Sequence, residues 1–141
     1  MIYVDANNLV YGRLSTIMAK KLLAGESVVI VNAANVAVTG GRDAVLGKFR
    51  ARRDIGSVRK GPYYPRNPKA ILKRSIGDML PKDKARGKEA LKRCIVYDGI
   101  PADLKEKQFE KFEKAQNNRV SGFVTLREVA EIMGKEVKVI E

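Results

Sequence analysis

The apolar residues near the start of the chain switch from strand-like to helix-like spacing and back. Residues 2–4 form a short β-prone run. Apolar positions three and four apart, as on one face of a helix, follow at Leu14, Ile17, Met18 and Leu22, and Gly25 can close that helix. Val28–Val31 is apolar at every position, which is typical of a strand buried on both faces of a parallel sheet. The three segments predict a βαβ unit with a right-handed crossover.

The next segments predict a helix followed by a loop. Residues 35–41 lead out of the sheet and end in the pair Gly40-Gly41, which suits a tight turn. Residues 42–53 place Val45 and Phe49 on one helical face and basic residues on another. Residues 54–68 contain two glycines and three prolines, so we expect no regular helix there.

A further helix is predicted after this loop. Asn67 is a favourable N-cap residue, and Pro68 stands at the first helical position, where its missing N–H does no harm. Pro81 ends the helix. Residues 82–93 predict another short helix, and residues 94–97 predict a further buried strand.

The last third of the chain has a different character. Residues 103–114 mix lysine evenly with acidic residues and have a few apolar positions, which predicts a solvated helix that packs by one edge. Thr125 and Glu128 form a capping-box pattern ahead of a final short helix, which Gly134 can close. No segment indicates a second domain. We therefore expect one domain over residues 1–141, with a neutral C-terminal extension at residues 102–141.

Charge is concentrated in the middle of the chain. Residues 42–93 hold seventeen Lys and Arg against five Asp and Glu, a difference of +12 that equals the net charge of all 141 residues. The eleven bases elsewhere are balanced by eleven acids. So strong a local excess opposes compaction unless a polyanion offsets it, which indicates nucleic acid as the partner. The alternative for any charge run is a solubilising surface.

Composition narrows the function classes. The chain has no histidine and a single cysteine, Cys94, so it lacks the commonest general base and cannot assemble a Cys/His zinc site or an internal disulfide. Cys94 precedes an apolar strand and is interpreted as a core residue. No apolar run approaches the roughly 18 residues of a membrane span, and the first residues lack the pattern of a signal peptide. We expect a soluble intracellular protein with no cofactor, metal or small-molecule substrate, although composition alone leaves carboxylate chemistry and backbone-held cofactors open.

The most specific part of the basic segment is the run from residue 60 to residue 66. Tyr63 and Tyr64 stand between prolines and beside basic residues, a combination that suits unstacked RNA bases. Either ring could instead pack beneath the loop. The predicted RNA-binding residues of the whole segment are Lys48, Arg52, Arg53, Arg59, Lys60, Tyr63, Tyr64, Arg66, Lys69, Lys73, Arg74, Lys82, Lys84, Arg86, Lys88 and Arg93.

Gly40-Gly41 raises the question of a phosphate-binding loop. The spacing from Gly41 to Gly47-Lys48 is one residue too long for a Walker motif, and Phe49 stands where Ser or Thr would bind magnesium. A nucleoside-triphosphate loop is therefore excluded. An RNA-directed enzyme, such as a methyltransferase or nuclease with these glycines at a cofactor turn, remains the alternative from another class.

Several short sequence blocks occur in a fixed order along the chain. They are Val31-Asn32-Ala33-Ala34, Val38-Thr39-Gly40, Arg53-Asp54-Ile55-Gly56, Tyr64-Pro65-Arg66-Asn67-Pro68, Lys73-Arg74-Ser75-Ile76-Gly77-Asp78-Met79-Leu80-Pro81, Arg86-Gly87 and Val96-Tyr97-Asp98-Gly99-Ile100-Pro101. Together they resemble the family of the thirteenth protein of the large ribosomal subunit. Phe123-Val124-Thr125-Leu126 and the helix after it resemble the archaeal and eukaryotic branch rather than the bacterial one.

The resemblance implies a structural ribosomal protein that binds large-subunit rRNA, joins early in assembly and lies beside other ribosomal proteins. It implies no membrane contact and no homo-oligomer. It also implies an α/β fold, a three-layer α/β/α sandwich around a small, mainly parallel sheet. Ile76-Gly77-Asp78 departs from the Ile-Arg-Gly of many relatives, so one basic contact is missing and an acid stands beside it. A regulatory RNA binder outside the ribosome would have the same chemistry.

Overall fold

The computed structural model describes residues 1–54 and 65–132. The strands of this part of the chain are β1 (Ile2–Asp5), β2 (Val28–Val31), β3 (Ala37–Thr39), β4 (Cys94–Val96) and β5 (Phe123–Thr125). Its helices are α1 (Tyr11–Leu23), α2 (Arg42–Asp54), α3 (Pro68–Asp78), α4 (Ala85–Lys92) and α5 (Leu126–Ile132). Short 3-10 turns lie at Ala33–Asn35, Ala102–Leu104 and Glu113–Ala115. None of the described helices is both long and apolar enough to cross a membrane.

A three-stranded parallel sheet forms the centre of the molecule. Its order is β1-β2-β4, with Ile2 opposite Val28 and Val28 opposite Cys94. All four residues of β2 are buried, as expected for its continuous apolar run. The predicted βαβ unit is confirmed. Helices α1, α3 and α4 lie together and contact one another.

The main core lies between this sheet and the helices. Val4 and Ile30 point from the sheet towards fully buried residues of α1 and α3, among them Leu14, Met18 and Leu72. The apolar faces that the sequence predicts for α1 and α2 are therefore confirmed, including burial of Val45 and Phe49 on α2. The α/β class with a small, mainly parallel sheet is confirmed as well.

A second, antiparallel pair joins β3 to β5, with Val38 opposite Val124. The pairing continues beyond the strands because the N–H of Gly40 donates to the carbonyl oxygen of Gly122 at 2.8 Å. Gly40 has φ of +132°, a conformation that favours glycine, before α2 begins. Residues that the sequence assigns to a simple connection thus form a strand.

The prediction of a helix over residues 103–114 is wrong. The segment contains two 3-10 turns, and between them it runs beside β1. The N–H of Glu110 donates to the carbonyl oxygen of Tyr3 at 2.9 Å, and the N–H of Asp5 donates to that of Glu110 at 3.1 Å. Tyr3 also meets the edge of the Phe109 ring, with 6.3 Å between centroids. Pairing with the open edge of the sheet thus overrides a weak local helical pattern.

Strand β4 is buried on one face only. Cys94 and Val96 point into the core, whereas Ile95 is 42% exposed. The prediction of a buried strand is therefore confirmed for one face of β4 only. Within the described sheet β4 is an edge strand that pairs with β2.

The first turn of α3 is capped by a residue distant in sequence. Asn67 occupies the N-cap position and Pro68 begins the helix, as predicted, but the Asn67 side chain makes no capping hydrogen bond. Instead the backbone N–H of Lys69 donates to Oδ1 of Asp98 at 2.8 Å. Asp98 thereby joins the end of β4 to the start of α3, and its negative charge is favourable at a helix N-terminus.

We expect Asp98→Ala to lower the free energy of unfolding by about 1 kcal/mol, the usual cost of removing a helix cap. Urea denaturation checks the value, and amide exchange should accelerate selectively in the first turn of α3. Asp103→Ala removes an exposed carboxylate from a 3-10 turn and serves as the control. Equal effects of the two substitutions would show that the Asp98 cap contributes nothing specific.

Candidate nucleic-acid interface

Helices α3 and α4 pack against each other and, together with the residues at their ends, carry most of the exposed cations that the structure describes within residues 42–93. Lys69 lies in the first turn of α3, and Lys84 and Lys88 lie four residues apart at the start of α4. All three side chains are exposed. Arg66, just before α3, is exposed too. These residues, all predicted from the sequence, therefore reach solvent from two helices in direct contact.

A glycine sets the position of α4. A Cβ atom at Gly87 would lie 2.1 Å from the carbonyl oxygen of Pro81 and 2.6 Å from its carbonyl carbon, far inside van der Waals contact. Gly87 therefore lets the first turn of α4 close onto Pro81 in the turn that follows α3. The N–H of Lys84 also donates to the carbonyl oxygen of Pro81, at 3.1 Å. This approach fixes where Lys84 and Lys88 point.

Asp78, the acid that departs from the sequence of many relatives, pairs with a lysine in the turn after α3. Its carboxylate accepts a hydrogen bond from Nζ of Lys82, four residues later. Both side chains are more than half exposed, so the pair contributes little to stability. Lys82, a predicted RNA-binding residue, offsets this acid.

Two predicted RNA-binding arginines contact the protein's own backbone. Nη2 of Arg93 donates to the carbonyl oxygen of Leu22 at 2.6 Å, and Nη2 of Arg86 donates to that of Leu23 at 3.3 Å. Both carbonyls belong to the last turn of α1, where cations are favourable. Arg93 is half-buried, and its Nε is buried without a hydrogen-bond partner among residues 1–54 and 65–132. Arg93 thus joins α4 and β4 to α1, whereas Arg86 stays exposed.

Lys73 and Arg74 lie half-buried on α3. Lys73 lies close enough to Cys94 for its positive charge to affect the pKa of the thiol. Burial raises the pKa of the Cys94 thiol to about 11, and the positive charge of Lys73 opposes that rise. Cys94 is fully buried, so its interpretation as a core residue is confirmed.

Helix α2 presents its cations from another part of the surface. It packs against α5 and β5, and α5 in turn contacts α3. Lys48 is exposed. Nη1 of Arg42 donates to Oε2 of Glu128 on α5 at 2.7 Å, so that arginine is already paired. The N–H of Glu128 approaches Oγ1 of Thr125 at 3.4 Å, which is the threonine half of the predicted capping box.

Several predicted contacts lie outside the described residues. They are the loop residues Arg59, Lys60, Tyr63 and Tyr64. The predicted helix end at Gly134 also lies outside the described residues. Arg52 and Arg53 belong to the backbone of α2, but their side chains lie outside the description as well. The proposed stacking of RNA bases on the two tyrosines therefore stays a prediction.

The Gly40-Gly41 turn is engaged within the fold. The Gly40 N–H donates to the carbonyl oxygen of Gly122, and the carbonyl oxygen of Gly41 accepts a hydrogen bond from the N–H of Val45 at 3.0 Å. Asp5, the acid at the end of β1, accepts a hydrogen bond from Nδ2 of Asn32 at 2.9 Å. Within residues 1–54 and 65–132, no group of three or more Asp, Glu, Cys or His side chains could hold a metal ion.

Sequence reasoning overlooked a second group of cations. Lys20 and Lys21 on α1 and Lys111 and Lys114 beside it line one groove. Outside residues 42–93 acids and bases are equal in number, so the net charge does not reveal this group. The one sequence signal is the pair of adjacent lysines, Lys20 and Lys21, in the last turn of α1.

Comparison with known proteins gives one consistent result. Residues 1–103 match the family model described as ribosomal protein L13. A protein of Picrophilus torridus named large ribosomal subunit protein uL13 is 56% identical over 135 residues, covering 96% of this chain and 98% of the relative. The proteins of the same name from Thermoplasma volcanium and Archaeoglobus fulgidus are 53% and 42% identical, covering 95% and 93% of this chain and 98% and 86% of those relatives.

Proposed function

Because this chain belongs to the ribosomal protein L13 family, we propose that it is a structural constituent of the large ribosomal subunit that binds large-subunit rRNA through α3 and α4. The proposal also includes an early role in subunit assembly. It places the protein in the cytoplasmic ribosome, with neighbouring ribosomal proteins against its C-terminal extension, and treats residues 1–141 as one domain.

The observation that carries the proposal is the charge of the paired helices. Residues 68–93 contain nine Lys and Arg against three acids, and Asp78 is already paired with Lys82. Lys69, Lys84, Arg86 and Lys88 are exposed. Such a surface matches the phosphates of a folded RNA, which contribute most of the affinity in complexes of this kind.

The fold supports this role by holding the cations rigidly. Gly87 seats α4 on Pro81, Asp98 caps α3, and Arg93 ties the end of α4 to α1. Cations held on fixed helices lose little conformational freedom on binding. They can therefore screen phosphates of neighbouring rRNA helices that would otherwise repel, which suits a protein that joins while the RNA is still compacting.

The RNA-directed enzyme has less support. The family is one of ribosomal proteins rather than enzymes. The turn that would have to bind a cofactor uses the Gly40 amide for pairing with Gly122. Sedimentation of a cell extract separates the remaining alternative, because a regulatory RNA binder outside the ribosome would not sediment with the large subunit.

We expect Arg66→Ala to reduce the slope of log binding constant against log salt by about one unit for large-subunit rRNA. Arg66 is exposed, so the loss reports a phosphate contact rather than unfolding. Filter binding at several salt concentrations measures the slope, with Arg127→Ala on α5 as the control. A wild-type protein whose binding is insensitive to salt would contradict the proposal.

A further inference from the structure

A groove lies between α1 and the segment that follows residue 110. Its volume is about 580 Å³, within the roughly 300–1,000 Å³ typical of small-ligand pockets. Ile17 of α1 and Phe112 are half-buried and form its apolar floor. All of its lining residues lie outside the basic segment of residues 42–93. The wall formed by residues 111–114 also lies beyond residue 103, where the match to the family model ends.

Four lysines surround this floor. Lys20 and Lys21 belong to α1, and Lys111 and Lys114 belong to the opposite wall. Lys20, Lys111 and Lys114 are exposed. The acids at the groove are Glu113 and, 3.9 Å from Nζ of Lys21, Glu26. Even with both acids counted, cations exceed anions by two, so the groove favours an anionic ligand.

The second wall is held by backbone hydrogen bonds on both sides of the groove. Glu110 pairs with β1, and the carbonyl oxygen of Ala115 accepts from the N–H of Val10 at 2.6 Å. The N–H of Asn117 donates to the carbonyl oxygen of Asn8 at 3.0 Å. Lys111, Phe112 and Lys114 therefore project from a fixed backbone, in which Lys114 belongs to the 3-10 turn Glu113–Ala115.

Lys21 gives the groove a pairing of charge and ring. Its Nζ lies 5.3 Å from the centroid of the Phe112 ring, within the range of a cation–π contact. The contact holds the ring in place and keeps a positive charge over one of its two faces. A flat base on the apolar floor would thus have lysines within reach of its own phosphate.

We propose that this groove binds an unstacked nucleotide of large-subunit rRNA, with the base against Phe112 and Ile17 and the flanking phosphates at the lysines. This inference rests on the proposed function and adds a second RNA contact to it. Single-stranded RNA binds through this combination, an aromatic platform within a basic groove. An acidic peptide would also meet the lysines, but it has no flat group for the ring, so we take it as the competing outcome.

The test uses the full chain and a fluorescent octamer of uridine that contains one 4-thiouridine. Irradiation should produce a cross-link within residues 111–114, which peptide mass spectrometry locates. Phe112→Leu retains apolar packing but removes the ring, and we expect it to weaken octamer binding about tenfold. The pair Lys111→Gln and Lys114→Gln should reduce the salt slope by about 1.4 units. Lys105→Gln, on the same segment but outside the groove, is the control.

Three results would overturn the inference: cross-links found only elsewhere, octamer binding unchanged in Phe112→Leu, or polyglutamate displacing the octamer at equal charge. The proposed function is tested separately by Lys84→Gln with Lys88→Gln on rRNA. If that variant weakens rRNA binding while the groove variants bind normally, only the groove is wrong. If the groove variants lose octamer binding while the α4 variant binds rRNA normally, the α3–α4 face is wrong.

Discussion

Replacing Gly87 by alanine should destabilise the protein by about 3 kcal/mol, the upper part of the range for overpacking. The added methyl group would meet the carbonyl oxygen of Pro81 at 2.1 Å, and a backbone carbonyl cannot move aside as a flexible side chain can. Helix α4 would have to shift outward. Because α4 carries Lys84 and Lys88, the same shift should weaken binding to large-subunit rRNA.

Urea unfolding of the wild type and the variant measures this loss. Gly47→Ala is the matched control, since Gly47 lies within α2 and a Cβ atom there would have no neighbour within 4 Å. That substitution should stabilise the protein by roughly 0.5–1 kcal/mol, because alanine favours the helix over glycine. A Gly87→Ala protein as stable as the wild type would show that α4 does not need the close approach to Pro81.

Replacing Lys84 and Lys88 together by glutamine should weaken binding to large-subunit rRNA about thirtyfold at 0.15 M salt. Each lost phosphate contact reduces the salt slope by about 0.9 units, so the pair should reduce it by about 1.8 units. Both side chains are exposed on the same side of the start of α4, and neither lies in the core. Unfolding free energy should therefore stay within about 0.5 kcal/mol of the wild-type value.

The pair Lys105→Gln and Arg127→Gln removes the same charge from exposed positions outside residues 42–93. Binding by this control should change much less than binding by the α4 variant. If both pairs weaken binding equally, affinity follows the total charge of the chain rather than the placement of cations on α4.

Much of the fold was predictable because local pattern and tertiary environment agree. The continuous apolar run of β2 became a strand buried on both faces, and the spacing of Leu14, Met18 and Leu22 became the inward face of α1. Pro68 and Pro81 correctly bracketed α3. In each case a single hydrophobic stripe or a proline leaves few competing structures.

The failures share a physical cause, which is contact between residues distant in sequence. Residues 103–114 have a helical pattern, but Glu110 pairs with the open edge of β1. The three residues of β3 carry too little pattern to reveal a partner more than eighty positions away in β5. Asn67 looks like the cap of α3, yet Asp98 supplies the hydrogen bond. Local sequence does not encode such partners.

The sequence revealed which segment carries the positive charge, but not which of its side chains face solvent. Counting bases located residues 42–93, and Lys69, Lys84 and Lys88 are indeed exposed there. The count could not distinguish these residues from Arg93, which contacts the backbone of α1 instead. It also missed the lysines of the groove, because acids balance them over the sequence outside residues 42–93 whereas cations exceed acids at the groove itself.

Binding of rRNA through α3 and α4 is tested most directly by ultraviolet cross-linking within purified large ribosomal subunits. Mass spectrometry then identifies the peptides of this protein that carry a nucleotide. We expect cross-links to rRNA on peptides from residues 65–93, including those that contain Arg66, Lys84 or Lys88. Cross-links confined to residues 102–132, or a protein that is absent from purified large subunits, would contradict this expectation.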